Sequence, residues 1–368
     1  MHKYLWKRIA LAVLTLFIIL IFSYTLIVSF ITNPFEIKLQ DPSLSKELRE
    51  VYRIKAREYD ATPVIVKLVN YFKGFFQGNF GDIMFPANGT DARTIPELFF
   101  KPLKYSLLVS LPAFVISAVL GITLGVFAGY KRGTLWDSII NIFVFVFIAI
   151  PSFIIAPFFI DLFAKAGFRE TFVAVGSETG HGPATPWDSF VSVIPAILVI
   201  TLGSLAVYTL YARNQTVTVL TSNYILIAKT KGLSGTQIFF KYVFRNISIP
   251  LIAIVLPSYI GLLSGSIILE RFWSIPGSSS VIASAFPNGE INIVMFNIFF
   301  FTALSLFTEI LVDISFVILD PRIVYESSSG FDLVKYLKAK RIRSKKMRAL
   351  FKEQALEERK ASPSVSAM

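Results

Sequence analysis

"SNYILIAKTKGLSGTQIFFKYVFRNISIP", Ser222–Pro250, interrupts two stretches apolar enough to cross a bilayer. Its first part has helix-forming content, with Lys229 and Lys231 in the last turn, where cations suit the negative end of the helix dipole. Gly232 supplies a stop, and "SGTQ" then sets Ser234 at an N-cap with Gln237 three positions on, a capping-box pattern. The spacing predicts helix, glycine turn, helix. Spans can be joined by a handful of residues, so a well-capped unit of this size is more than a tether requires. It resembles a docking knob whose amphipathic helix lies in the groove of another protein. The competing reading is a helix resting on an anionic leaflet through its lysines and apolar residues.

The rest of the chain makes the bilayer the relevant solvent. Of 368 residues, 54% are hydrophobic and 16% charged, and the mean hydropathy is +0.64, with the apolar residues gathered in long blocks. Runs of spanning length occur at Ile9–Ile31, Ser106–Tyr130, Ile139–Phe163, Val191–Tyr211, Leu251–Leu269 and Ile291–Leu319. The expected fold is therefore an all-α polytopic membrane protein of about six transmembrane helices. The first run follows a basic start but is longer than a signal-peptide core and lacks a small-residue cleavage site, so we read it as a retained helix. The formal net charge of +12 sits in short segments beside the apolar blocks, a membrane-protein distribution that argues against a nucleic-acid partner.

If six spans alternate, Lys3, Lys7 and Arg8, Lys131 and Arg132, the cations from Arg213 to Arg245, and the basic tail after Asp320 share one side. Both termini are then cytoplasmic, in the plasma membrane of a prokaryote. We divide the chain into a first span (1–32), an extracytoplasmic cap (33–102), a five-helix core (103–323) with its coupling loop at 213–250, and a basic cytoplasmic tail (324–368). The cap, with "VIVKLVNYFKGFF", is expected to carry surface-lying helices. Prolines at Pro112, Pro151, Pro157, Pro195 and Pro257 kink helices around a path or simply reflect the greater proline content of membrane helices. Gly121, Gly125 and Gly129, and separately Gly261 and Gly265, form faces that admit close backbone approach, within the bundle or to a partner.

Catalytic chemistry is thin. The chain has no cysteine and two histidines, His2 and His181, so thiolate and histidine-rich metal sites cannot be built, and no phosphate-binding P-loop occurs. Glu309 and Asp313 lie four apart in the last span, on one face. They suit a proton or ion relay, which would make the protein an ion-coupled carrier or channel. They suit equally two acids that bond a neighbouring helix or reach the interface.

"YILIAKTKGLS" resembles the cytoplasmic-loop signature of ATP-binding-cassette importer permeases, with Ala228 and Gly232 on its two most characteristic positions. Leu226 and Ile227 depart from the usual acid-alanine start and are closer to the oligopeptide and dipeptide branch. That branch is echoed in order by "YFKGFFQGNFGD", "GVFAGYKRGTLWD", "IPSF", "LERFWSIPG" and "LVDISFVILDPRI", spread over most of residues 1–323.

The resemblance implies a type I importer permease fold and a long external loop after the first helix. It also implies a second, homologous permease subunit, two cytoplasmic ATPases holding ATP and Mg, and an extracytoplasmic peptide-binding protein. No cofactor belongs to this chain. Coupling would fall to Tyr224, Ala228, Lys229, Lys231, Gly232, Leu233 and Ser234. Arg271, Phe272, Trp273, Pro276 and Gly277 would help form an outer mouth, with Ser258, Ser264 and Ser266 facing the path from the fifth span. Glu309 stands where the family usually has a neutral residue. The chain continues beyond "DPRI", near which relatives usually stop, in a basic tail that suits an interfacial helix or a solvated extension.

Overall fold

Apolar composition sets where helices run, and capping sets where they begin. A computed structural model describes residues 2–84, 92–180, 182–265, 267–319 and 333–361. Ser266, His181 and the "DPRI" motif lie outside the described residues. The chain divides into two compact units, Trp6–Arg322 and, separately, Met1–Leu5 with Ile323–Met368. In the second, the helix Leu333–Ala361 has exposed side chains wherever they are described.

α1 (His2–Phe30), which belongs to the first unit from Trp6 onward, is followed there by α2 (Pro34–Leu39), α3 (Lys46–Ala61) and α4 (Val64–Phe76). Then come α5 (Ile95–Tyr130), α6 (Leu135–Ala149), α7 (Ser152–Lys165), α8 (Pro186–Leu220), α9 (Asn223–Thr230), α10 (Gly235–Ile238), α11 (Arg245–Gly265), α12 (Ile267–Phe272), α13 (Ser278–Ala285) and α14 (Ile291–Leu319). Among the described residues, five helices are long and apolar enough to cross a membrane, and six segments are if the bent pair α6–α7 is one span. α5 and α8 start well before their apolar runs because Thr94 caps the Glu97 amide and Thr185 forms a capping box with Asp188.

α5 and α8 form the centre. Gly121 faces Leu205 and Tyr208, Gly125 faces Thr209 and Ala212, and Gly129 faces Thr216, so the two helices advance in parallel. A Cβ on Gly125 would come within 2.4 Å of the Thr209 carbonyl oxygen. This glycine face is therefore used inside the bundle. Gly261, by contrast, has nothing within 4 Å of the position a Cβ would take.

Two parallel spans require the chain between them to return across the same depth. α6 starts beside the end of α8, where Arg213 Nε lies 2.6 Å from Asp137 Oδ1. Beyond α7, Val173 is bonded to Ser189 and Ser192 at the start of α8. The pair α6–α7 thus crosses once, although it bends by 104° at Ile150–Pro151. Pro102, Pro112, Pro157, Pro195, Pro250 and Pro257 all remain inside helices. At the end of the bundle where α11 begins, Arg8 near the start of α1 pairs with Asp313 near the end of α14, and Arg245 donates to the Leu319 carbonyl. The first and last spans therefore begin and end at the same face, as an even number of crossings requires.

The segment after α1 departs from expectation. α4 does not lie flat. Tyr24 stacks on Tyr71 and Phe17 on Phe76, with ring centroids 4.8 and 5.8 Å apart, so α4 runs antiparallel down the side of α1. Phe75 meets Phe299 edge-on at 4.9 Å. Phe299 sits eight residues into α14, about 12 Å from its start at the α-helical rise. At 13 residues α4 is too short to span. Its aromatic face gains more by wedging against α1 and α14 than by facing water.

Candidate functional site

The loop after α8 folds as its caps dictate. α9 ends in a closure in which the Gly232 amide donates to the Lys229 carbonyl at 3.0 Å and the Leu233 amide to the Ala228 carbonyl at 3.3 Å. That closure needs a left-handed residue, and Gly232 supplies it at φ +73°. Ser234 Oγ then accepts from the Gln237 amide at 3.3 Å while Gln237 Oε1 accepts from the Ser234 amide at 3.0 Å. α10 passes through one wide π-helical stretch, Phe239–Phe244, into α11.

Packing fixes this unit to the bundle. Ile225 and Ala228 are buried with Ile238, Val243, Ile247 and Leu251 against Ala212 and Val219 of α8 and against Ile122 and Val126 of α5. A side chain larger than alanine at 228 would lift α9 off this core. Leu233 is half-buried in the same cluster, whereas Tyr224, Lys229, Lys231, Gly232 and Ser234 are exposed. Leu226, Ile227 and Phe240 are also exposed, at 57%, 54% and 61%. α9 thus has an inner face joined to the ends of three spans and an outer face of apolar groups and cations. A load on that outer face is carried into α5, α8 and α11 through close-packed contacts.

Sequence reasoning passed over the pair that braces this end. Asp137 accepts from Arg213 Nε and Nη2 at 2.6 and 2.8 Å, from the Gly133 amide at 3.0 Å and from Asn141 Nδ2 at 2.9 Å. An acid in the first turn of an apolar helix, just after "KRG", was the available signal.

At the opposite end, α12 runs into a corner, Trp273–Gly277. Trp273 is fully buried, while Arg271, Phe272 and Pro276 are exposed. Ser258 lies lower, its hydroxyl 2.5 Å from Tyr208 Oη, and Ser264 is exposed. A cavity of about 310 Å³ at the α6–α7 bend is bounded by Pro151, Ser152, Gly203, Ser204, Gly261 and Leu262, among others. None of Ser258, Ser264 or Arg271–Gly277 lines it. Glu309 and Asp313 lie apart from both: Arg8 is 2.6 Å from Asp313 and 4.0 Å from Glu309. Asp313 bonds the neighbouring α1 near the face where α14 ends, and Glu309 lies in the exposed surround of the same cation. No group of three or more metal-ligating side chains occurs among the described residues.

Comparison with known proteins bears on this architecture. The family described as "Binding-protein-dependent transport system inner membrane component" matches residues 121–325, more than half of the chain and all of the loop just described. The oligopeptide transport system permease protein OppB of Mycoplasma genitalium is 30% identical over 343 residues, 92% of this chain and 81% of that protein. The dipeptide transport system permease protein DppB of Lactococcus lactis subsp. cremoris is 25% identical over 88% of this chain and 99% of its own. OppB of Haemophilus influenzae is 26% identical over 88% of this chain and 100% of its own.

Proposed function

The chain belongs to the binding-protein-dependent transport system inner membrane components and is a permease subunit of an ATP-binding-cassette importer, and from that premise we propose that its cargo is peptide. The similar proteins are named for oligopeptide or dipeptide transport. We place the α9 end of the bundle in the cytoplasm. Lys131, Arg132, Arg213, Lys229, Lys231, Lys241 and Arg245 sit at that end, in agreement with the excess of cations on cytoplasmic loops.

In this reading a second, homologous permease completes the path. Two cytoplasmic ATPases hold ATP and Mg, and an extracytoplasmic binding protein delivers the peptide to the other face. The observation that carries the proposal is the two-sided α9: Ala228 is buried at 2% exposure against the ends of the spans, while Tyr224, Leu226 and Ile227 face outward. An ATPase that holds α9 differently in its ATP-bound and empty states shifts the bundle by the difference in its contacts, and by no more than that. The test is ATP-driven uptake by the reconstituted system, competed with di-, tetra- and hexapeptides. Peptide competition with loss of uptake on deleting the ATPases is expected. ATP-driven uptake that no peptide inhibits overturns the cargo assignment.

A further inference from the structure

Glu270 is 1% exposed at the end of the bundle opposite α9, an unusual place for a carboxylate unless something is organised around it. Its Oε1 accepts from Ser106 Oγ of α5 at 2.7 Å, across 164 residues of sequence. Ser106 Oγ in turn accepts from the Ser278 amide, the first residue of α13, at 2.9 Å and lies 3.2 Å from Ser278 Oγ. Gly277 presses on both groups: a Cβ there would lie 2.4 Å from Glu270 Cδ and 2.5 Å from Ser106 Oγ. The intervening corner is equally committed. The Ile275 amide donates to the Glu270 carbonyl at 2.7 Å, Ser274 is held at φ +52°, and the Phe172 amide reaches the Trp273 carbonyl at 2.7 Å. Trp273 itself is buried among Val109, Ala113, Val193 and Ala196 of α5 and α8.

The geometry points to Glu270 as a positioning residue that clamps α12 and α13 to α5, so that this corner stays closed throughout the transport cycle and motion is carried elsewhere in the bundle. A closure that opened at every turnover would have to hydrate a fully buried carboxylate and expose a fully buried tryptophan. Gly277 and Ser106 are in contact with no room for one carbon atom, so opening the corner would have to give up this close packing. Polar bonding rather than greasy contact favours one register at the junction, because a slip breaks the directional bond from Ser106 to the carboxylate.

This inference rests on the importer reading for its transport arm only. The chain has no cysteine, so Ser106→Cys with Ser278→Cys introduces the sole thiol pair of this subunit. In the complete transport system in proteoliposomes, oxidation is expected to cross-link the pair, read as loss of maleimide labelling after denaturation, since the two hydroxyls are 3.2 Å apart. The reduced pair, lacking the serine bonds, should hydrolyse about tenfold more ATP per solute imported, and oxidation should restore the ratio. The same oxidised pair should rescue Glu270→Ala, and Glu270→Gln, which keeps an acceptor oxygen, should stay near the parent ratio without any cross-link.

Uptake that stops on oxidation and returns with reductant overturns the clamp in favour of a gate. So does failure of the disulfide to rescue Glu270→Ala, which would mean that Glu270 acts somewhere other than through Ser106. Failure of the thiols to cross-link removes the juxtaposition itself. A parent protein without ATP-driven uptake would count against the importer reading alone, because cross-link yield is measured without transport.

Discussion

Arg213 and Asp137, 76 residues apart, meet through two short bonds, Nε to Oδ1 at 2.6 Å and Nη2 to Oδ2 at 2.8 Å, at the point where α8 ends and α6 begins. Their side chains are 21% and 7% exposed. A two-pronged guanidinium pair in so dry a place is fragile to the loss of one partner, because the other charge stays buried. Asp137→Ala is therefore expected to destabilise the detergent-purified protein by roughly 3 kcal/mol, read as a lowered thermal midpoint. The double variant Asp137→Ala with Arg213→Ala should recover part of that loss, measured against the two single variants. Additive losses in the double-mutant cycle would show that the two residues do not interact.

The same end of the bundle tests how the loop is closed. Gly232 has open space around it, so its constraint is conformational and not steric: φ +73° is a region that Ala enters at a cost of about 1–2 kcal/mol and Asn enters more readily. Gly232→Ala should weaken ATPase association and lower uptake, while Gly232→Asn should return most of both. Equal behaviour of the two variants in co-purification and uptake would remove the closure from the coupling argument.

Two helical glycines supply an internal comparison. A Cβ on Gly125 would stand only 2.4 Å from the Thr209 carbonyl oxygen, whereas one on Gly261 would meet nothing within 4 Å. Gly125→Ala must push α5 and α8 apart, at a cost of about 1–3 kcal/mol typical of overpacking, and should lower the melting temperature. Gly261→Ala should not, since replacing an unencumbered helical glycine gains about 0.5–1 kcal/mol. Matched melting temperatures would contradict the parallel packing of the two spans.

How far the fold was legible in the residues follows from the range of the forces involved. Ile291–Leu319 was bounded correctly, and the Gly232 turn with its Ser234–Gln237 box was read in place, because hydropathy and capping act within a few residues. "TIPE" and "TPWD" carried the same local signal and would have placed the starts of α5 and α8 correctly. What distinguishes Pro151, which bends its span by 104°, from Pro195, which leaves α8 intact, is not local. The placement of α4 escapes the sequence for a related reason: a 13-residue helix rich in apolar and aromatic side chains suits a membrane surface as well as a wedge, and Phe299, which decides, lies more than two hundred residues away. Among site residues, Glu270 and Asp137 sat inside quoted motifs without being singled out. Their partners Ser106 and Arg213 become neighbours only when the spans pack.

The acids of α14 allow the carrier reading to be tested by its own chemistry. Asp313 is 14% exposed and 2.6 Å from Arg8, whereas Glu309 is 56% exposed and 4.0 Å away. Ion pairs as open as the second contribute about 0–1 kcal/mol, so Glu309→Gln is expected to change neither melting temperature nor uptake. Asp313→Ala removes the close partner of a guanidinium that joins the first span to the last, and should lower the melting temperature, with Arg8→Ala in the same chain giving back part of the loss. An ion relay makes a different demand: its carboxylates must release and take up a cation in every cycle, so Glu309→Gln with Asp313→Asn would abolish uptake and make it insensitive to an imposed proton or sodium gradient. The Arg8 contact instead ties both acids to a fixed cation on α1, so the neutralised double variant should still import its solute on ATP alone, at a rate that collapsing the ion gradients leaves unchanged. Uptake lost in that variant while its melting temperature stays at the parent value would place the acids in the transport chemistry and sink this assignment.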